Sequence, residues 1–236
     1  MIKIRLAGIV IAVENRYDLL EWYCRGYTAG PGIKEDISIS VSPEKLDEEL
    51  EKTSGISRRR AELFCVYREI GYRVLPFDAL LMHAVILDFE GTGIAFMAPS
   101  GTGKTTLTCN IRKVCKNRVR IINGDKPIIR VIGRKIYAFG TPWNGKEGYG
   151  CQSFVELKKL CFLYQDQENH IQRTESGEAM KRLMKQLLIP EKGEDLNAFF
   201  GILELLLQKT EAYRMGCLPD EDAAWTAVRG MELPLR

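Results

Sequence analysis

The apolar positions form short dense runs through the first two thirds of the chain and recur at a spacing of three to four in the last third. That change predicts an α/β protein. Residues 2–13 and 37–42 are rich in Ile and Val with partial alternation, the pattern of strands. Between them lies 26–32, glycine-rich with one proline, which predicts a loop. Ser42-Pro43 is a helix-start signal, and the charged stretch 43–54 predicts a helix. Residues 58–70 fit a helix or a strand. Together these make an N-terminal α+β subregion, residues 1–75.

A second block, 76–175, carries the densest apolar runs. Residues 79–89 end at the turn Glu90-Gly91, and 93–97 predicts a buried strand. A glycine-rich loop comes next, then a helix over 105–115. Residues 119–122 predict a strand that ends in Asn123-Gly124-Asp125. Residues 127–131 and 135–139 predict two strands joined by the turn Gly133-Arg134. The stretch 140–150 holds four glycines, a proline and a tryptophan, and predicts a loop. Residues 160–164 predict one more strand. The last third, 176–236, reads as helical: 177–188 and 196–207 have helical spacing, Pro190 and Gly193 separate them, and Pro219-Asp220-Glu221 opens a helix in the tail 218–228.

Composition narrows the function classes. A net charge of +3 with no long basic run argues against nucleic acid and against an anionic membrane surface. Arg58, Arg59 and Arg60 form the densest cluster and read as a solvated turn. No run approaches the ~18 apolar residues of a membrane span. The apolar start, 1–13, lacks a small-residue cleavage site and reads as a first strand rather than a signal peptide. Seven cysteines show no C-x-x-C pair, and two histidines are too few for zinc-finger spacing. Reduced thiols in a cytoplasmic protein are the expectation.

The chemistry concentrates in 98–106, Ala-Pro-Ser-Gly-Thr-Gly-Lys-Thr-Thr. The phosphate-loop pattern is G-x-x-x-x-G-K-[ST], and only its first position differs, with Ala98 for glycine. A methyl group is tolerated there if φ is negative. Gly101 and Gly103 let backbone N–H groups turn inward around phosphate oxygens. The next helix presents its positive N-terminus to the same anion. Lys104 supplies a full charge for the β- and γ-phosphates, and Thr105 a hydroxyl for Mg²⁺. Pro99, Ser100, Thr102 and Thr106 complete the cradle. Asp125, at a strand end about twenty residues on, is the second element: a metal ligand, or the acceptor of a proton from an attacking hydroxyl.

Residues 83–105, HAVILDFEGTGIAFMAPSGTGKT, resemble the core of HPr kinase/phosphorylase. His83 stands 21 residues before Lys104, the family's own spacing, and Ser100-Gly101-x-Gly103-Lys104 matches within the loop. Gly-Thr-Gly-Lys-Thr-Thr-Leu looks like ATP-dependent phosphoenolpyruvate carboxykinase, whose nucleotide-binding core is related. Ile122-Asn-Gly-Asp-Lys-Pro, with Gly-Thr-Pro-Trp-Asn-Gly-Lys at 140–146, looks like HPr kinase-like proteins, some of them associated with peptide-modification systems. The resemblance covers 77–140, about a quarter of the chain. It implies a mixed-sheet P-loop core, with Lys104 on the phosphates, Thr105 and Asp125 on the metal, Asp125 as general base and His83 near the reacting phosphate. It also allows a homo-oligomer.

Three departures limit that resemblance. Gly124 stands where the family has the first acid of an Asp-Asp pair. Thr106 replaces an acidic residue, and the family's Arg-Gly-Leu-Gly-Ile segment is absent. These argue against HPr as substrate and against phosphorylase activity. Lys146 in the 140–150 loop is a candidate for neutralising a transferring phosphoryl group. Trp143 is a candidate pocket wall or base-stacking surface, or simply an anchor for the loop. Arg173 is a candidate phosphate contact.

The expectation is an ATP- and Mg²⁺-dependent kinase that phosphorylates a hydroxyl on a small protein or peptide, serine first, or on a small molecule. The competing expectation is a nucleotide-binding module without transfer, which the missing acid at 124 favours.

Overall fold

The computed structural model describes residues 1–190 and 193–234 as a mixed α/β structure with two sheets. The chain opens with an antiparallel hairpin, β1 (Ile2–Leu6) and β2 (Ile9–Glu14). The single strand expected over 2–13 is therefore two. Ala7 and Gly8 turn the chain with φ of +50° and +83°, a two-residue hairpin turn that an apolar alanine conceals. Ile4, Leu6, Ile9, Ile11 and Val13 are all buried. After helix α1 (Asp18–Cys24), which the sequence pattern did not signal, β3 (Ile37–Ser40) joins β2 in parallel.

Helix α2 (Pro43–Lys52) starts as its sequence predicts. Pro43 occupies the first turn, and the Ser42 hydroxyl accepts from the Lys45 N–H at 3.4 Å. Residues Arg58–Arg73 resolve as helix α3, whose first turn holds the three arginines expected in a solvated turn. Two of them face carboxylates, Arg58 with Asp47 at 2.6 Å and Arg59 with Asp18 at 3.5 Å. α3 packs Ala61, Val66 and Ile70 onto the small sheet.

The second sheet has nine strands: β4 (Ala79–Leu81), β5 (Val85–Phe89), β6 (Thr92–Met97), β7 (Val119–Asn123), β8 (Ile128–Ile132), β9 (Lys135–Phe139), β10 (Phe154–Gln165), β11 (His170–Arg173) and β12 (Glu211–Cys217). Their main order is β4-β8-β9-β10-β6-β5-β7. β10 is twelve residues long and serves three partners: β9 antiparallel at its start, then β6 and β12 in parallel. Helices cover both faces, which is why these strands are apolar on successive residues. On β6, Ile94 and Phe96 face helices α4 (Lys104–Cys115) and α7 (Glu221–Gly230). Ala95 and Met97 face α5 (Ser176–Met184) and α6 (Gly193–Lys209).

The last third is not wholly helical. β12 runs beside β10 inside the segment expected as helices, and β11 pairs with its other edge. Glu211 and Arg214 break its apolar run, yet Tyr213, Met215 and Cys217 alternate into the core. Alternation over seven residues with charges between them is a weak signal, and the flanking helical periodicity masked it.

Candidate active site

The phosphate loop leaves the C-terminal end of β6 and enters α4, the strand–loop–helix order that its pattern requires. Gly101 and Gly103 take φ of +81° and +107°, and a Cβ built on either meets no heavy atom within 4 Å. The glycines thus serve left-handed backbone beside open space, the geometry in which N–H groups can close around an anion. Ala98 is buried and is not among the residues with positive φ, so its methyl group fits the first loop position. Thr102 braces the loop through its hydroxyl, which donates to the Pro99 carbonyl at 2.9 Å. Pro99, Ser100 and Thr106 are exposed and Thr105 is half-buried.

Lys104 is only 8% exposed, and its Nζ donates to the carbonyls of Ala98 at 2.7 Å and Pro99 at 3.4 Å. The ammonium is held inside the loop rather than in solvent. Burial pulls its pKa below the ordinary lysine value; the Asp125 charge opposes that shift and the Lys126 charge adds to it.

Asp125 lies just past β7. Its own N–H donates to Asn123 Oδ1 at 2.9 Å, and its carbonyl accepts from the Ala84 N–H at 3.0 Å. That second bond ties it to the segment between β4 and β5, which carries His83. His83 Nε2 stands 3.2 Å from Asp125 Oδ1, and Lys126 Nζ stands 3.8 Å from the same oxygen. Burial alone would raise the Asp125 pKa. The His83 hydrogen bond and the charges of Lys126, His83 and Lys104 outweigh it and hold the carboxyl below the usual carboxylate value. Asp125 is therefore ionised at neutral pH.

Lys126 has no local mark of function, although it stands in the Asn-Gly-Asp-Lys-Pro run. Burial lowers its pKa, the Asp125 charge opposes that, and Arg68 adds to the lowering. Beneath the pair is a fully buried polar brace. Asn123 Nδ2 donates to the Thr141 carbonyl at 3.1 Å and hydroxyl at 3.2 Å, and the Thr141 hydroxyl donates to the Lys126 carbonyl at 2.7 Å. Thr141 belongs to the 140–150 loop, so that loop positions Asp125 and Lys126.

The same loop explains Gly124. A Cβ built there would stand 2.4 Å from the Asn144 carbonyl oxygen and 2.9 Å from that of Tyr149. No side chain, acidic or otherwise, fits without displacing backbone. Trp143 is 5% exposed and packs near Tyr67 of α3 with ring centroids 6.2 Å apart. It anchors the loop, and its burial leaves no face for a base. Lys146 is exposed in the turn closed by the Gly148 N–H on the Gly145 carbonyl at 3.2 Å. A Cβ on neighbouring Gly145 would lie 3.5 Å from Asp125 Cβ, so this turn borders the site.

Arg173 is not brought to the loop. It lies on β11, separated from β6 by β12 and β10, a lateral distance on the order of 14 Å at ordinary strand spacing. Its guanidinium donates to Glu211 at 2.7 Å.

The donor set suits a magnesium nucleotide. Among the described residues no group of three His, Cys, Asp or Glu side chains converges to hold a metal unaided. One hydroxyl, Thr105, and one carboxylate, Asp125, match the way Mg²⁺ binds, through few protein ligands plus phosphate oxygens.

No protein-family model matches this sequence, and no curated protein does. Solved structures do match, among them the HPr(Ser) kinase/phosphatase from Coxiella burnetii, at 8% identity and a TM-score of 0.39, over 64% of this chain and 88% of that one. A likeness so distant says nothing of chemistry, which rests on the side chains above. No helix among the described residues is long and apolar enough to cross a membrane.

Proposed function

We propose that the chain is an ATP- and Mg²⁺-dependent phosphotransferase of HPr kinase-like type, with a hydroxyl as acceptor, serine of a small protein or peptide first. The observation that carries this reading is the Asp125 carboxylate, held ionised by a histidine at 3.2 Å and by the charges of Lys126 and of Lys104, the buried lysine of a phosphate loop.

The loop N–H groups and Lys104 hold the β- and γ-phosphates and stabilise charge as it shifts to the leaving oxygen. Thr105 and Asp125 would hold Mg²⁺, which would neutralise part of that charge when bound with the nucleotide. Asp125 accepts the hydrogen bond of the acceptor hydroxyl and orients its oxygen in line with the γ-phosphorus. The phosphorus–oxygen bond to ADP breaks as the bond to the acceptor forms, and the acceptor proton passes to Asp125. A carboxylate with a lowered pKa is a weak base, which suits a loose transition state in which the proton leaves late.

The test uses labelled ATP, Mg²⁺, serine peptides and small hydroxy compounds. Transfer to a hydroxyl is expected, with kcat falling about 100-fold or more in Asp125→Asn while nucleotide titrated without Mg²⁺ still binds. Nucleotide binding without transfer to any acceptor, identical in Asp125→Asn, would overturn it. Gly124 favours the second reading, a nucleotide-binding module without transfer, because backbone contacts bar a second acid from that position.

A further inference from the structure

Two lysines and a histidine share one carboxylate at this site. Asp125 faces His83 and Lys126 directly and interacts with Lys104 through its charge. A bound nucleotide answers Lys104. It leaves Lys126, half-buried, to share Asp125 with His83, next to a cavity of about 180 Å³ that no Asp or Glu among the described residues lines. His83 and Lys126 both line that cavity, and Lys185 stands at it, exposed and paired with no carboxylate among the described residues. Met82, Leu187 and Leu188 give it an apolar wall. Gln186 is 9% exposed, lines the same space, and its Oε1 has no hydrogen-bond partner among the described residues.

The wall stands close to α3. A Cβ on Gly71, inside that helix, would stand 2.8 Å from Leu188 Cδ1 and 3.3 Å from Leu81 Cβ. Glycine in a helix interior costs about 1 kcal/mol relative to alanine, and here it admits the 187–188 segment. The segment is pinned by the His83 N–H, which donates to the Gln186 carbonyl at 2.8 Å, and by a bridge between Met82 and Leu187. Leu188 also walls a groove of about 840 Å³ bounded by α2, α3 and the start of α6. The small cavity has room for one side chain, and the groove beside it for the chain that carries that side chain.

We propose that this cavity is the acceptor subsite, that it takes a peptide segment whose hydroxyl residue is flanked by an anionic group, and that Lys126 and Lys185 recognise the anion. Resting on the phosphotransferase reading, the assignment places the acceptor hydroxyl beside Asp125 and His83, with its acidic neighbour against the two lysines. The unpartnered Gln186 oxygen suits a peptide N–H, and the adjoining groove favours a chain over a compact metabolite.

Calorimetric titration of the full chain tests this with three probes: Ac-Asp-Ser-Asp-NH₂, Ac-Lys-Ser-Lys-NH₂ and D-glycerate. Each is measured with and without a non-hydrolysable ATP analogue and Mg²⁺. The acidic peptide is expected to bind at least tenfold tighter than the basic one, and Lys185→Glu, an exposed change that spares the fold, to abolish that preference. Lys126→Gln is expected to weaken the acidic peptide further. Equal affinities for the two peptides, indifference to Lys185→Glu, or D-glycerate binding more tightly than the acidic peptide would each overturn the assignment. Failure of the ATP analogue to bind, or of any transfer to occur, strikes the phosphotransferase reading instead. The peptide preference is read in its own titration.

Discussion

In the loop 98–103, Gly101 and Gly103 hold left-handed backbone with open space where a side chain would go. In the loop 140–150, Gly140 and Gly150 hold ordinary backbone with no space at all. A Cβ on Gly140 would stand 1.9 Å from the Cys151 carbonyl oxygen, and one on Gly150 would stand 2.9 Å from Asn144 Cβ. Both loops are glycine-rich, but Gly101 and Gly103 answer a different demand from Gly140 and Gly150. The first set keeps room and N–H direction for a ligand. In the second, Gly140 lets backbone pack on backbone and Gly150 makes room for the Asn144 side chain, so that Thr141 can brace Asn123 and Lys126. Equal composition thus carries unequal consequences: a change at Gly101 or Gly103 should strike binding, and one at Gly140 or Gly150 should strike folding.

The largest effect should come from the glycine on which the second loop closes. Gly124→Asp would supply the acid that the HPr kinase/phosphorylase family carries at this place, but its Cβ would enter the space of the Asn144 and Tyr149 carbonyls. The expected result is a loss of about 3 kcal/mol or more, since backbone cannot rotate aside as an overpacked side chain can. Denaturant unfolding measures it. A stable Gly124→Asp protein with raised transfer activity would show that the loop yields, and that the missing acid was a catalytic loss rather than a packing necessity.

Gly103→Ala probes the other demand. The residue is at φ +107°, so a methyl group strains the backbone by roughly 1–2 kcal/mol while meeting no neighbour. Stability should fall by less than in Gly124→Asp. Nucleotide affinity should fall at least tenfold, because the strained turn re-aims the N–H groups and the methyl group occupies the ligand's side. Calorimetry with ATP and Mg²⁺ separates the two. If affinity survives while stability drops, the loop is a structural turn.

What the chain displays openly obeys the same division. The strand over 93–97, the loop and the helix after it are legible because short apolar runs, positive-φ glycines and a helix-start lysine each leave a local mark. His83 and Asp125 are legible only through their spacing to Lys104. Lys126 is not, since a lysine next to an aspartate looks like surface until burial is known. The Gly124 contacts, the Trp143 anchor and the place of β12 beside β10 depend on residues distant in sequence. Nothing local could announce them. Arg173 shows the converse: a plausible phosphate contact that sheet order carries to a strand three positions from β6.

The smallest expected effect on the fold concerns Lys104, and its sign distinguishes a ligand-binding lysine from a structural one. The folded chain lowers the Lys104 pKa below its ordinary 10.5, chiefly through burial, so the charged form is disfavoured in the fold. Folding therefore carries a penalty that is fully present at neutral pH, where the lysine is charged in both states. The penalty shrinks as pH rises through the folded pKa, and it is gone above 10.5, where the unfolded chain also gives up its proton. Lys104→Met removes it at every pH, at the expense of two hydrogen bonds to the Ala98 and Pro99 carbonyls. The variant should be at least as stable as the parent at pH 7, and its relative advantage should narrow as pH rises toward the ordinary lysine value, while ATP affinity falls at least tenfold. Thermal melts across that pH range, paired with nucleotide titrations, measure both. A variant clearly less stable at pH 7 would mean that Lys104 holds the loop together. A variant unchanged in affinity would remove the phosphate loop from the site, and with it the contrast between the two loops.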